Sequence, residues 1–184
     1  MADEKQLTGT KTEENLKAAF AGESQAFAKY QYYAAQAKNA GYVKISDWFN
    51  ETAHNEHEHA KIWFKLLHGG VIPEREEDLQ DAIAGEHYEH TTMYKEFHDT
   101  AKEEGFDRIA ALFQMVGAIE AHHEARYREL LRVVQDGSAF ERQEPVAWIC
   151  INCGYIHVGT KAPALCPVCA HPQAWFSKES DVVL

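Results

Sequence analysis

The sequence predicts a mainly α protein, a four-helix bundle followed by a small metal-bound β/loop domain. Three observations carry this reading. Apolar residues recur at helical spacing in four long stretches before residue 137. Two of those stretches hold Glu-x-x-His, as Glu56 with His59 and Glu120 with His123. All four cysteines fall in the last 35 residues, as two Cys-x-x-Cys pairs, where the helical period is lost.

The first helix is expected to open at Thr10-Lys11-Thr12-Glu13, a capping box, after a loose polar arm over residues 1–9. It runs to about Asn39, with Gly41 as its stop. Its apolar face includes Leu16, Phe20, Phe27, Tyr30 and Ala34, and Glu23 shares that face. The second helix spans about Val43 to His68 and stops at Gly69-Gly70. Glu56 and His59 continue its apolar stripe of Ile45, Trp48, Phe49, Thr52, Trp63 and Leu66 or Leu67. After a connection from Gly69 to about Glu76, with Pro73 at or near the next helix start, a third helix runs to about Glu104 and ends at Gly105. Leu79, Ile83, Glu86, Met93, Phe97 and Ala101 share one face, with Glu89 and Tyr94 at its edges. The fourth helix runs from about Asp107 to Gln135, with Phe113, Val116, Glu120, His123, Tyr127, Leu130 and Val134 inward. The expected organisation is a bundle over 1–137, a linker over 138–145 marked by Ser138 and Pro145, and a Cys₄ domain over 146–184. That last domain is too short to fold on an apolar core alone, so a metal must supply much of its stability.

Composition limits the function classes. The chain of 184 residues is 45% apolar and 26% charged, with a formal net charge of -11. No basic patch stands out, which argues against nucleic acid. No apolar run reaches the roughly 18 residues of a membrane span. The N-terminal Met1-Ala2-Asp3-Glu4-Lys5 lacks an apolar signal region, so a cytoplasmic protein is expected. In a reducing compartment, paired Cys-x-x-Cys reads as metal binding rather than disulfides.

A single Glu-x-x-His on a helix is usually a solvated pair. Two instances, both on apolar stripes, with Glu23, Glu86 and Glu89 also on apolar faces, are different. Burying one unpaired carboxylate costs several kcal/mol, and five would exceed the roughly 5–15 kcal/mol that stabilises a domain. Either these glutamates are exposed after all or cations neutralise them, and the second is the expectation. Inward glutamates with two Glu-x-x-His pairs on four helices form the ligand set of a di-iron or di-manganese site, and carboxylates with some imidazole favour iron or manganese. In this reading Glu56 and Glu120 bridge two metals, Glu23 and Glu86 are terminal ligands, and His59 and His123 each cap one metal. Glu89 is a fifth carboxylate that breaks the two-fold pattern. Tyr30 and Tyr94 either hydrogen-bond the ligand carboxylates from outside or pack in the core. His54, His57, His87, His90 and His122 read as near-surface residues. Cys150, Cys153, Cys166 and Cys169 form a four-thiolate set for one iron or a zinc, beside a small aromatic core of Trp148, Tyr155, Trp175 and Phe176.

Taken together, the motifs resemble the rubrerythrin family over nearly the whole chain. Ala21-Gly22-Glu23-Ser24-Gln25, Glu56-x-x-His59, Gly85-Glu86-x-x-Glu89, Glu120-x-x-His123 and the Cys150–Pro172 segment match its pattern. One departure is Ala170, where a free-standing rubredoxin usually has Gly. The resemblance implies a ferritin-like di-iron bundle and a rubredoxin-like Fe(Cys)₄ domain. It implies a cytoplasmic oxidoreductase that reduces hydrogen peroxide to water, with electrons from NAD(P)H through a reductase or a rubredoxin. It also implies that one iron exchanges His59 for Glu89 on oxidation, and that the protein is a homodimer. The short connection between helices two and three adds the expectation of swapped helix pairs. Iron storage, sharing the same bundle, is the alternative, but it has no need of Cys150–Cys169. A structural module with zinc in its tail is a third reading.

Overall fold

The structure, a computed structural model, describes residues 6–178. Residues 1–5 of the expected arm lie outside them. The chain divides after Pro73 into two compact units.

The first unit is a helical hairpin. Helix α1 spans Lys11–Asn39 and α2 spans Val43–Leu67. The capping box forms: Thr10 Oγ1 accepts from the Glu13 N–H at 3.2 Å, and Glu13 Oε2 accepts from the Gly9 N–H at 2.6 Å. Gly41 (φ 84°) turns the chain, and the Tyr42 N–H closes the end of α1 on Ala37 O at 2.9 Å. Ala34, Ser46, Ala53 and Ala60 are the buried residues, so small side chains let the two helices approach closely. Ile45, Trp48 and Leu66, expected on the inward stripe of α2, are exposed on this unit. A hairpin of two helices covers only one side of each, so part of a bundle-type stripe stays uncovered.

The second unit begins with a helix that differs from expectation. The third helix is not continuous. It runs as α3 over Glu76–Tyr88, a π-helical turn over Glu89–Met93, and α4 over Tyr94–Glu103. The Tyr94 N–H bonds Glu89 O, five residues back, and the Thr91 hydroxyl takes the His87 carbonyl at 2.6 Å. Tyr94 faces the next helix, its Cβ against Gly117, while Phe97 is 44% exposed and packs on Phe113. Helix α5 spans Asp107–Gln135 and packs along α3 and α4. Gly117 on α5 admits Tyr94: a Cβ there would lie 3.2 Å from the Tyr94 Cβ.

A 3-10 turn, Ser138–Phe140, follows, and β1 (Glu141–Cys150) starts inside the stretch expected to be linker. β1 is the centre of an antiparallel sheet in the order β2-β1-β3, with β2 at Ile156–Lys161 and β3 at Phe176–Lys178. Trp148, Cys150, Ala162, Cys166 and Phe176 form its buried core, with Phe140, Val146 and Tyr155 against it. Trp175 is not part of that core. It is 40% exposed and packs edge-on against His171.

Candidate metal centres

Each hairpin brings together one Glu-x-x-His and one glutamate from its other helix. In the first unit His59 Nδ1 lies 2.9 Å from Glu56 Oε2 and 3.9 Å from Glu23 Oε1. In the second, His123 Nδ1 lies 2.7 Å from Glu120 Oε2 and 3.6 Å from Glu86 Oε2. In both triads the ligand atoms lie within 4.8 Å of one another, close enough for one ion. Three-residue spacing sets each Glu and His on one helix face. Glu86 Oε2 is buried with no hydrogen-bond partner, an arrangement that is costly for a carboxylate and that a cation would satisfy. The donor set and this orphaned oxygen fit a hard or borderline divalent metal.

The two triads are related by an internal repeat. Tyr30, Gly41, Glu56 and His59 recur 64 positions on, as Tyr94, Gly105, Glu120 and His123, but Glu23 recurs 63 on, as Glu86. The second copy therefore carries one extra residue between Glu86 and Tyr94, which is where the π turn lies. The offset was present in the sequence and pointed to this insertion.

Glu89, at the start of the π turn, is outside both triads. Burial, followed by the charges of Glu120 and Glu86, pushes its carboxyl above the ordinary value, with His123 opposing. The Tyr94 hydroxyl is raised by burial and by Glu89, Glu120 and Glu86. Tyr30 packs against Tyr33 and Phe49, and Tyr94 against Phe97 and Phe113. Among the described residues neither hydroxyl hydrogen-bonds a carboxylate.

The thiols form the third group. Cys150 and Cys169 Sγ are 3.7 Å apart, and Cys153 and Cys166 Sγ 3.6 Å apart. A tetrahedron with metal–sulfur bonds of ~2.3 Å has edges of ~3.75 Å, whereas a disulfide needs ~2.05 Å. The cysteines are free, in the arrangement of a metal site. Two matching knuckles build it: the Gly154 N–H bonds Cys150 O at 2.8 Å, and the Ala170 N–H bonds Cys166 O at 2.9 Å. The Tyr155 N–H lowers the Cys153 thiol, but desolvation and the thiols of Cys169, Cys166 and Cys150 outweigh it and push it up to about 12. The His171 N–H holds Cys169 below the usual thiol value.

The description "Rubrerythrin" fits residues 14–131, and "Rubrerythrin, rubredoxin-like domain" fits residues 148–177. The chain belongs to the rubrerythrin family. It is 50% identical over 183 residues to a rubrerythrin of Porphyromonas gingivalis, covering 94% of this chain and 92% of that one. It is 46% identical to a rubrerythrin of Nitratidesulfovibrio vulgaris, over 94% of this chain and 96% of the relative. Rubrerythrins combine a di-iron site with a four-cysteine rubredoxin-like site, and the triads and the thiol tetrahedron are candidate ligands of both kinds here.

Sequence reasoning missed one cluster. His87 and His90, read as near-surface residues, converge on Glu124, whose side chain is buried on α5. The hydrogen bond from His90, followed by those from Arg128 and His87, brings the Glu124 carboxyl down to about 2 against desolvation. Glu124 and Arg128 stand four apart on a helix, the only local signal of it. His54 and His122 are exposed, as expected. His57 is also exposed, and its ring packs against Phe27.

Proposed function

We propose that this rubrerythrin-family protein reduces hydrogen peroxide to water at a di-iron carboxylate centre, with electrons relayed through an iron held by Cys150, Cys153, Cys166 and Cys169. The observation that carries the reading is the pairing of two matching Glu₂His triads with a thiol tetrahedron in one chain. Glu56, Glu120, Glu23, Glu86, His59 and His123 would hold the two irons, with Glu56 and Glu120 as the proposed shared carboxylates and one histidine for each metal. When bound, the two irons supply the two electrons that, with two protons, turn one peroxide into two waters. Glu89 would be the replacement for His59: it stands outside the triads, its carboxyl pushed up by burial and by Glu120 and Glu86, and His59 is half-exposed beside Glu56. The electron donor is an NAD(P)H-dependent reductase, directly or through a rubredoxin, in a reducing cytoplasm that keeps the four thiols unpaired. The proposed functional division is a helical bundle followed by an electron-carrying domain whose sheet begins with β1 at Glu141, ahead of the expected boundary at 146.

We further propose that the triads complete one another across a homodimer with exchanged helix pairs. From His59 to Leu67 α2 rises ~12 Å, and from Glu76 to Glu86 α3 rises ~15 Å. For both ligands to stand at one height in a single-chain bundle, the connection would descend ~27 Å and cross ~10 Å. Nine links reach ~30–32 Å only when fully extended. The Gly70 N–H bonds Lys65 O at 2.7 Å and Arg75 takes φ 53°, neither of which is fully extended backbone.

The test is metal analysis with absorption spectroscopy. The reading expects two bundle irons and one thiolate iron per chain, a red colour bleached by NADH with a reductase, and its return on peroxide. Colourless protein holding zinc alone, or colour that peroxide leaves bleached, would sink it. Iron storage is not favoured, because it gives the thiol tetrahedron nothing to do.

A further inference from the structure

The geometry points to another metal site, in which His87, His90 and Glu124 hold one divalent first-row transition ion. This goes beyond the peroxidase reading and uses none of its ligands.

All three residues belong to the second unit. His87 is on α3, His90 in the π turn and Glu124 on α5. Glu124 is only 8% exposed, and its two oxygens have separate partners. Oε1 accepts from Arg128, with Nε at 2.7 Å and Nη2 at 2.5 Å. That leaves Oε2 pointing at the imidazoles, 3.1 Å from His87 Nδ1 and 2.5 Å from His90 Nε2. The two rings are 5.4 Å apart and nearly perpendicular at 87°, so their nitrogens reach Oε2 from different directions. The three ligand atoms lie within 4.8 Å of one another.

One carboxylate oxygen held by a guanidinium and the other shared by two imidazoles is how a metal-binding carboxylate is oriented from behind. An ion with bonds of ~2.0–2.2 Å in tetrahedral geometry separates its ligands by roughly 3.4 Å. The closest contact, Glu124 to His90, would open by about 1 Å, within reach of side-chain rotation. Two imidazoles and one carboxylate select Zn²⁺, Fe²⁺ or Co²⁺ over Mg²⁺ or Ca²⁺. Three protein ligands leave a place for water, and His87, 56% exposed, leaves the site open to solvent. His87, His90 and Glu124 each follow in sequence a residue of the proposed di-iron centre, Glu86, Glu89 and His123. One residue is ~100° around a helix, so the cluster occupies a neighbouring face and not the same one.

The experiment starts from full-length protein with iron already in its bundle and thiolate sites, dialysed anaerobically against Co²⁺. The expected result is one added Co²⁺ per chain, visible d–d absorption and unchanged iron. His87→Ala should weaken cobalt binding by about 10-fold or more, and Arg128→Gln by about 10–100-fold although it removes no ligand. His87→Ala with His90→Gln should abolish it. In each variant, circular dichroism checks the helices. His87 is exposed enough that its single variant decides the matter even if the double variant fails to fold. No extra cobalt in the wild type, cobalt taken up only as iron is lost, or uptake unchanged in His87→Ala would each overturn the site. Iron content, thiolate colour and peroxide turnover of the His87→Ala protein report separately on the di-iron reading.

Discussion

At Ala170 the backbone takes φ 57°, the left-handed region that disfavours a Cβ. Its counterpart in the other knuckle is Gly154, at φ 77°. The hydrogen bonds are the same in both, so the geometry is imposed by the thiols and Ala170 tolerates it. Ala170→Gly should therefore stabilise the Cys₄ domain by about 1 kcal/mol, read as a higher midpoint for thermal loss of the thiolate absorption. Cys166→Ser removes a buried thiol of the tetrahedron. It should abolish the ferric-thiolate colour and leave the bundle iron, measured by absorption with metal analysis. Glu13 gives a pH prediction. Its carboxyl is lowered from 4.5 by Lys17 first and by the Gly9 N–H second. A lowered pKa in the folded state means the contribution is present above 4.5 and is lost as pH falls below it. Glu13→Gln should flatten the part of the acid-unfolding curve just below that value, and an unchanged curve would remove the Glu13 carboxylate from the stabilising contacts of the capping box.

Among the elements, the interrupted third helix is the feature that periodicity alone did not show. Hydrophobic spacing tolerates one extra residue, because Met93 and Tyr94 are both large and partly apolar. The internal repeat was more sensitive, since it compares one half of the chain with the other. At the repeat position of Ala53 the second copy has Gly117, which faces the Tyr94 Cβ. A side chain's Cβ cannot rotate out of the way. Gly117→Leu should destabilise the second unit by about 1–3 kcal/mol, measured by denaturant unfolding. Ala53 and Gly117 differ because only the second copy has the π turn that carries Tyr94 inward.

For the whole molecule, the proposed exchange of helix pairs has a sharp genetic form. One chain carries Glu23→Gln and Glu56→Gln, and its partner carries Glu86→Gln and Glu120→Gln. In an exchanged heterodimer both damaged halves fall in one site and both intact halves in the other. The isolated heterodimer should hold about half the bundle iron, and an unsorted co-expressed mixture about a quarter, whereas each variant alone recovers none. Without exchange every site keeps a damaged half, and co-expression recovers nothing. Tyr32, Tyr42, Trp48 and Ile62 of the first unit and Leu112, Met115 and Ile119 of α5 are exposed, apolar surface that an assembled bundle would cover.

Read alone, the residues indicated the outer ends of the four helical stretches, the two Glu-x-x-His pairs and the four-thiolate set. Each of these rests on short spacings: a cap and its third residue, a Glu and a His one turn apart, two Cys-x-x-Cys knuckles. Helix and turn geometry converts such spacings directly into positions in space. The joining of Glu23 to His59 and of Glu86 to His123 was also legible, because hairpins with short loops must bring those faces together. The tertiary structure decided the rest. The meeting of His87 and His90 with Glu124 spans more than 30 residues and depends on how α5 lies against α3. The replacement of Trp175 by Phe140 in the small core depends on where the 3-10 turn leaves the chain. These are outcomes of packing between distant segments, which no local period encodes.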